Sequence, residues 1–164
     1  MKKYLTYLLW LACLFFSACE EDNCPPNALS YATFSFVNEK GEKVAYKDSL
    51  TVVGCTEFSA LNTSRDTIIN RQTNTSILSL PLSYGKQTIF LLHYMNIGKT
   101  DTLIIRHNSN PAITNIECGS MMFHRITQVE TRASILDSLV IINPVVDNYE
   151  KENCKIYFTA NRDN

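Results

Sequence analysis

Three histidines and six cysteines hold most of the reactive chemistry available to this chain. His93, His107 and His124 lack the H-E-x-x-H spacing that would put two zinc ligands and a general base on one helix. No serine sits in a G-x-S-x-G turn, and Ser59, Ser83 and Ser120 have no neighbour in sequence that would activate them as acyl-transfer nucleophiles. The five glycines are scattered and form no phosphate-cradling loop. Asp147, Glu150 and Glu152 make a small acidic cluster, but without the ligand spacing of a calcium loop they read as a solvated turn. The residue types therefore point to no catalytic residue, no metal and no cofactor. A hydrolase would need a site assembled from distant residues such as His93 and His124.

The cysteines divide by context. Met1-Lys2-Lys3 is a short basic start, and Tyr4 to Phe16 runs thirteen residues without a charge. A membrane-spanning helix needs about 20 apolar residues, so this run suits a secretory signal instead. Phe16-Ser17-Ala18-Cys19 looks like a bacterial lipobox, with Phe where Leu is usual, in which the cysteine is acylated and becomes the new N-terminus. The expectation is removal of residues 1–18, lipidation of Cys19 with palmitate-type chains, and a flexible tether over residues 19–30. An acyl chain contributes about 0.8 kcal/mol per buried CH₂, and lasting attachment takes more than one chain. Glu20-Glu21-Asp22 resembles the surface-export tag of bacteroidete-type lipoproteins, and a solvated tether would carry the same charges.

Cleavage would discard Cys13 and the only tryptophan, Trp10, and would leave 13 basic against 16 acidic residues, net -3. Neither that balance nor the whole chain's -1 provides a basic face for nucleic acid. Cys24, Cys55, Cys118 and Cys154 would remain, an even number in an exported chain, which suggests two disulfides. Four cysteines allow three pairings, and the sequence itself does not choose; Cys24 with Cys118 and Cys55 with Cys154 is the expected one. No C-x-x-C pair or close Cys–His pair favours zinc instead.

A second pattern concerns hydroxyls. Asp48-Ser49-Leu50, Asp66-Thr67-Ile68, Asp101-Thr102-Leu103 and Asp137-Ser138-Leu139 share the form Asp, hydroxyl, aliphatic residue. Their spacings of 18, 35 and 36 residues exclude a fixed repeat. Asp at a strand start, bonding nearby backbone N–H groups, explains the pattern. It also resembles the O-glycan acceptor of bacteroidete-type exported proteins, which makes Ser49, Thr67, Thr102 and Ser138 candidate acceptors.

Strands must position these residues. Ala32, Phe34 and Phe36 share one face, as do Phe90, Leu92 and Tyr94, then Leu103 and Ile105, then Ile156, Phe158 and Ala160. Leu139 and Ile141 alternate with Val140 and Ile142, so that strand is apolar on both sides. Pro81, Pro111 and Pro144 fall at segment edges. No stretch has a helical apolar period. Eight to ten short strands with Gly-containing turns predict an all-β fold, an antiparallel β-sandwich, Ig-like in broad terms, over residues 31–164. The aromatics Phe34, Phe36, Phe90, Tyr94, Phe123, Tyr157 and Phe158 are expected to fill its core rather than form a binding platform.

The order lipobox Cys19, acidic tether, Asp22-x-Cys24-Pro25-Pro26, Asp48-Ser49-Leu50-Thr51-Val52-Val53-Gly54, Leu80-Pro81-Leu82-Ser83, Asp101-Thr102-Leu103, Glu117-Cys118-Gly119 and Asp137-Ser138-Leu139 resembles the small uncharacterised bacteroidete lipoproteins that carry a domain of unknown function. The resemblance spans nearly the whole mature chain. It implies a lipoprotein of the outer membrane, facing periplasm or surface, and singles out Cys24 and Cys118; it implies no activity. The expected function is a non-enzymatic accessory or binding module, with the membrane as partner through its lipid and an envelope protein as a further partner. A structural partner of an outer-membrane complex and a hydrolase are the alternatives.

Overall fold

The computed structural model describes residues 30–55, 66–115, 119–147, 149 and 151–158. Among the described residues ten strands run in order: β1 (Tyr31–Val37), β2 (Leu50–Cys55), β3 (Asp66–Gln72), β4 (Ile77–Pro81), β5 (Gln87–Tyr94), β6 (Lys99–Asn115), β7 (Gly119–Arg132), β8 (Leu136–Ile141), β9 (Val145–Val146) and β10 (Glu152–Phe158). They form two sheets packed together, one of them curled into a half-barrel. The four-stranded sheet has the order β4-β1-β10-β8 and the six-stranded sheet β3-β2-β5-β6-β7-β9. The sandwich expected from the alternation is the fold. Among the described residues no helix is long and apolar enough to cross a membrane.

Period two decides what lies between the sheets. Ala32, Phe34 and Phe36 of β1 face Phe90, Leu92 and Tyr94 of β5, and all six are buried in one cluster with Leu103, Ile105 and Ile156. The rings of Phe34 and Phe90 meet edge to face at 6.3 Å, and those of Tyr46 and Tyr94 at 5.3 Å. Phe158 joins them against Tyr46 at 5.7 Å. These aromatics are core.

One pairing departs from the antiparallel expectation. β1 runs parallel to β10. They are the first and last of the strands, so no tight turn has to join them and a parallel ladder is available. Its register breaks between Thr33 and Phe34, where Asn153 of β10 is the extra residue. The Asn153 side chain fills the gap: Oδ1 accepts from Thr33 N–H at 2.9 Å, and Nδ2 donates to Asn143 O and Val145 O.

The β6–β7 hairpin is the longest feature. β5 leaves β6 at Gln87↔Arg106, while β7 accompanies β6 to its end. Pro111 therefore lies inside a strand rather than at a segment edge. His107 N–H donates to Lys86 O, so odd residues of β6 direct their N–H groups away from β7. The proline's missing donor falls on the edge that β5 no longer covers, the place where a strand proline does least harm. β7 carries a bulge at Thr127, between the pairs Arg106↔Gln128 and His107↔Ile126. Thr127 Oγ1 donates to Arg106 O at 3.1 Å. The extra residue switches the inward positions of β7 from odd to even, so Val129 packs on the core above the bulge while Ile126 and His124 turn inward below it.

Cys55 and Cys154 are not joined to each other. Cys154 lies in the main core between the sheets, whereas Cys55 packs with Ile89 and Ile104 in a separate cluster. On β2 the inward positions are Leu50 and Val52, so Cys55 has the opposite parity and points to the sheet's other face. Cys154 is a free thiol, and burial pushes its pKa up to about 12, so it is a poor nucleophile at neutral pH. Cys19, Cys24 and Cys118 lie outside the described residues, as does the 1–18 segment.

Candidate functional site

Two polar constellations interrupt the apolar interior, both built on the inward face of β6. Asp101, Leu103, Ile105, His107 and Ser109 share that face, with aliphatic residues between a carboxylate at one end and an imidazole at the other.

Asp101 has no solvent exposure. Its carboxylate accepts from Ser134 N–H and Ser134 Oγ–H on Oδ1, and from Ile135 N–H at 3.1 Å and Leu136 N–H at 2.8 Å on Oδ2. It therefore fixes the turn that leads from β7 into β8, bonding successive backbone donors as a buried carboxylate must. Tyr94 lies beside it: burial first, and the Asp101 charge second, push that phenol far above its ordinary pKa. Asp101 does not mark a strand start, contrary to its motif, because β6 begins at Lys99 and the side chain points into the core. Asp66 and Asp137 do stand at strand starts and are exposed, and Asp48 lies two residues before β2.

At the other end, Thr88, His107, Ser109 and His124 form a chain of hydrogen bonds that crosses β5, β6 and β7. His107 and His124 are 1% and 2% exposed, with rings 5.1 Å apart and nearly perpendicular. Ser109 Oγ stands between them, 3.2 Å from His107 Nδ1 and 2.9 Å from His124 Nδ1, and donates to Gly85 O at 3.0 Å. A hydroxyl has one proton, so with Gly85 O as its acceptor both imidazoles donate to it through Nδ1–H. His107 Nε2 then accepts from Thr88 Oγ1 at 2.9 Å. Thr88 Oγ1 in turn accepts from Ser83 N–H, and Ser83 Oγ donates to Gln87 O. The remaining atom, His124 Nε2, is a buried lone pair without a partner. Burial lowers the pKa of both rings, that of His124 to about 4 with His107 adding to the effect, so both are neutral at pH 7.

His93 does not join this cluster. It lies on the other face of β5, with Nδ1 2.8 Å from Thr100 Oγ1. The distant pair that the structure brings together is His107 with His124, not His93 with His124. The single-residue bulge at Thr127 decides this, and nothing in the sequence announces it. The inward parity of Thr88, His107 and Ser109 was there to be read, since Thr88 continues the face of Phe90, and His107 and Ser109 that of Leu103 and Ile105.

The hydroxyls of the Asp-Ser/Thr pattern fall in two settings. Thr67 and Ser138 are exposed, and Ser49 and Thr102 are half-buried. Asp147 uses Oδ1 to accept from Tyr149 N–H at 3.0 Å, an ordinary turn bond. Among the described residues no group of three or more His, Cys, Asp or Glu side chains is arranged to hold a metal ion.

No curated protein and no solved structure matches the chain. A family model does, over residues 33–158, from β1 to the end of β10. The chain belongs to that family, the family of unknown function DUF6452.

Proposed function

We propose that the chain is a cell-envelope lipoprotein of bacteroidete type, anchored in the outer membrane by acyl chains on Cys19, whose β-domain is a non-enzymatic binding or accessory module. The observation that carries this reading is the order basic start, thirteen uncharged residues, small pair and cysteine at the N-terminus. The domain's polar centre fits a module that binds rather than reacts. Ser109 sits between two imidazoles, but its proton is committed to Gly85 O, and no described carboxylate is bonded to either ring. An activated nucleophile needs a base free to take its proton and a third group to orient that base.

A second reading, structural partner in an outer-membrane complex, draws on β8. It is an edge strand, and Val140 within it and Ile142 just after it are 41% and 51% exposed. Such an edge suits pairing with another chain. Glycans on Thr67 or Ser138 would have the exposure they need.

Fractionation of cells making the full chain tests the anchor. Globomycin or Cys19→Ala is expected to accumulate the unprocessed 18.6 kDa chain. Processing and membrane fractionation that ignore both treatments would sink the proposal. Protease added to intact cells then separates a surface-facing domain, which is cut, from a periplasmic one, which survives.

A further inference from the structure

We propose that the groove where β6 runs past the head of β5 is a binding site for a small, sugar-sized ligand carrying an oxyanion, either a carboxylate or a phosphate. It rests on the binding-module reading above and names the ligand class that module would take. The groove has a volume of about 490 Å³, with Lys86 and Gln87 on one wall, Arg106, Asn108 and Thr127 on the other, and His107 at its base. Small-molecule sites occupy about 300–1,000 Å³, so the space suits one or two sugar rings.

The chemistry of the walls selects the ligand. Lys86, Gln87, Arg106 and Asn108 all end in N–H donors, and no carboxylate lines the groove. The side chains of Lys86, Gln87 and Asn108 make no hydrogen bond or ion pair within the described chain, so their donors are available. Arg106 uses only Nε, which meets Glu130 Oε1 at 3.2 Å. That oxygen also accepts from Gln128 Nε2 at 3.0 Å, so the guanidinium is braced from behind while its two terminal nitrogens stay unspent. A braced guanidinium presents a planar fork that carboxylates and phosphates match, and Lys86 adds a second positive charge. The amides of Gln87 and Asn108 donate and accept, which suits hydroxyls on a ring. The backbone holds the walls in place: His107 N–H donates to Lys86 O and Ser109 Oγ to Gly85 O, so the loop before β5 is tied to β6 and needs no reordering on binding.

The test is calorimetric titration of the full processed chain, purified in mild detergent, with glucuronate, glucose 6-phosphate, inorganic phosphate and glucose. Saturable binding of both charged sugars is expected, with glucose at least about tenfold weaker because it lacks the charge the walls await. Lys86→Ala should weaken binding about fivefold to tenfold, and Asn108→Asp should abolish it by placing a like charge on the oxyanion. Both positions are exposed, so unchanged melting temperatures are expected and would keep the result interpretable. Equal affinity for glucose and glucuronate would overturn the proposal. So would affinities that ignore both variants, or no heat with any probe up to about 10 mM. Co-sedimentation with phosphatidylglycerol vesicles, without titration by either charged sugar, would overturn it in favour of a lipid surface. None of these failures touches lipidation, which is read from processing and fractionation.

Discussion

The two ends of the inward face of β6 solve the same problem differently. Asp101 buries a formal charge and surrounds it with donors from Ser134, Ile135 and Leu136. His107 and His124 bury neutral rings, and one acceptor, His124 Nε2, is left over. The more expensive group is the better satisfied. A buried carboxylate with one donor removed is costly, so the fold closes every bond around it and the turn into β8 becomes rigid. An imidazole can stay neutral by giving up its proton, so the other end tolerates an unmatched lone pair. The Asp101 end reads as architecture, and the His107 end as a place where the interior responds to its surroundings.

The largest effect that sharpens this contrast is at Asp101. Asp101→Ala takes the acceptor away from the buried backbone N–H groups of Ile135 and Leu136 and from the more exposed Ser134, and about 3–5 kcal/mol of stability should be lost in denaturant unfolding. A loss below about 1 kcal/mol would show that the turn at Ser134 reorganises and that Asp101 is held no more tightly than the histidines.

Acid should act at the other end. The folded pKa of His124, about 4, lies below the value of about 6.5 for a free imidazole. Between those values the unfolded chain holds more protons than the folded one, so stability rises with pH there. It is complete above about pH 7 and falls as the pH drops from about 6.5 towards 4, by an amount on the order of 2 kcal/mol. Melting curves of the wild type and of His124→Leu at pH 7 and pH 4.5 isolate this term from the carboxylates. The variant should lose less stability than the wild type, and equal losses would place the titration elsewhere.

Two smaller effects follow. Thr88→Val removes the donor to His107 Nε2 and the acceptor for Ser83 N–H, and should cost about 1–1.5 kcal/mol. His124→Leu at pH 7 loses a bond to Ser109 but also removes the unpaired Nε2, so it should stay within about 1 kcal/mol of the wild type. A penalty as large as that of Asp101→Ala would mean that His124 is as tightly built in as the carboxylate.

Much of this was legible in the chain. Alternation located the core faces of β1, β5, β6 and β10, because successive side chains of a strand point to opposite faces and the bulkiest apolar set takes the inner one. The same parity puts Thr88, His107 and Ser109 inward, but polar residues on an apolar face are easily passed over, and the alternation was read from the apolar residues alone. What stayed hidden depends on register. The Thr127 bulge turns His124 toward His107, and the parity of Cys55 sends it away from Cys154; neither follows from local sequence. Asp101 looked like its three counterparts because strand starts and a buried staple can both carry Asp, a hydroxyl and an aliphatic residue in that order. Only the pairing of β6 with both β5 and β7 distinguishes them. The groove beside Lys86 and Arg106 was equally silent, since its walls come from β5, β6 and β7 and no motif joins them.

Membrane anchoring depends on what happens at Cys19. The mass of the N-terminal peptide from the chain purified out of its own membrane decides it. A peptide beginning at Cys19 and carrying acyl chains on that residue is expected, lost in Cys19→Ala. An unmodified Cys19, or a mature N-terminus at any other residue, would contradict it.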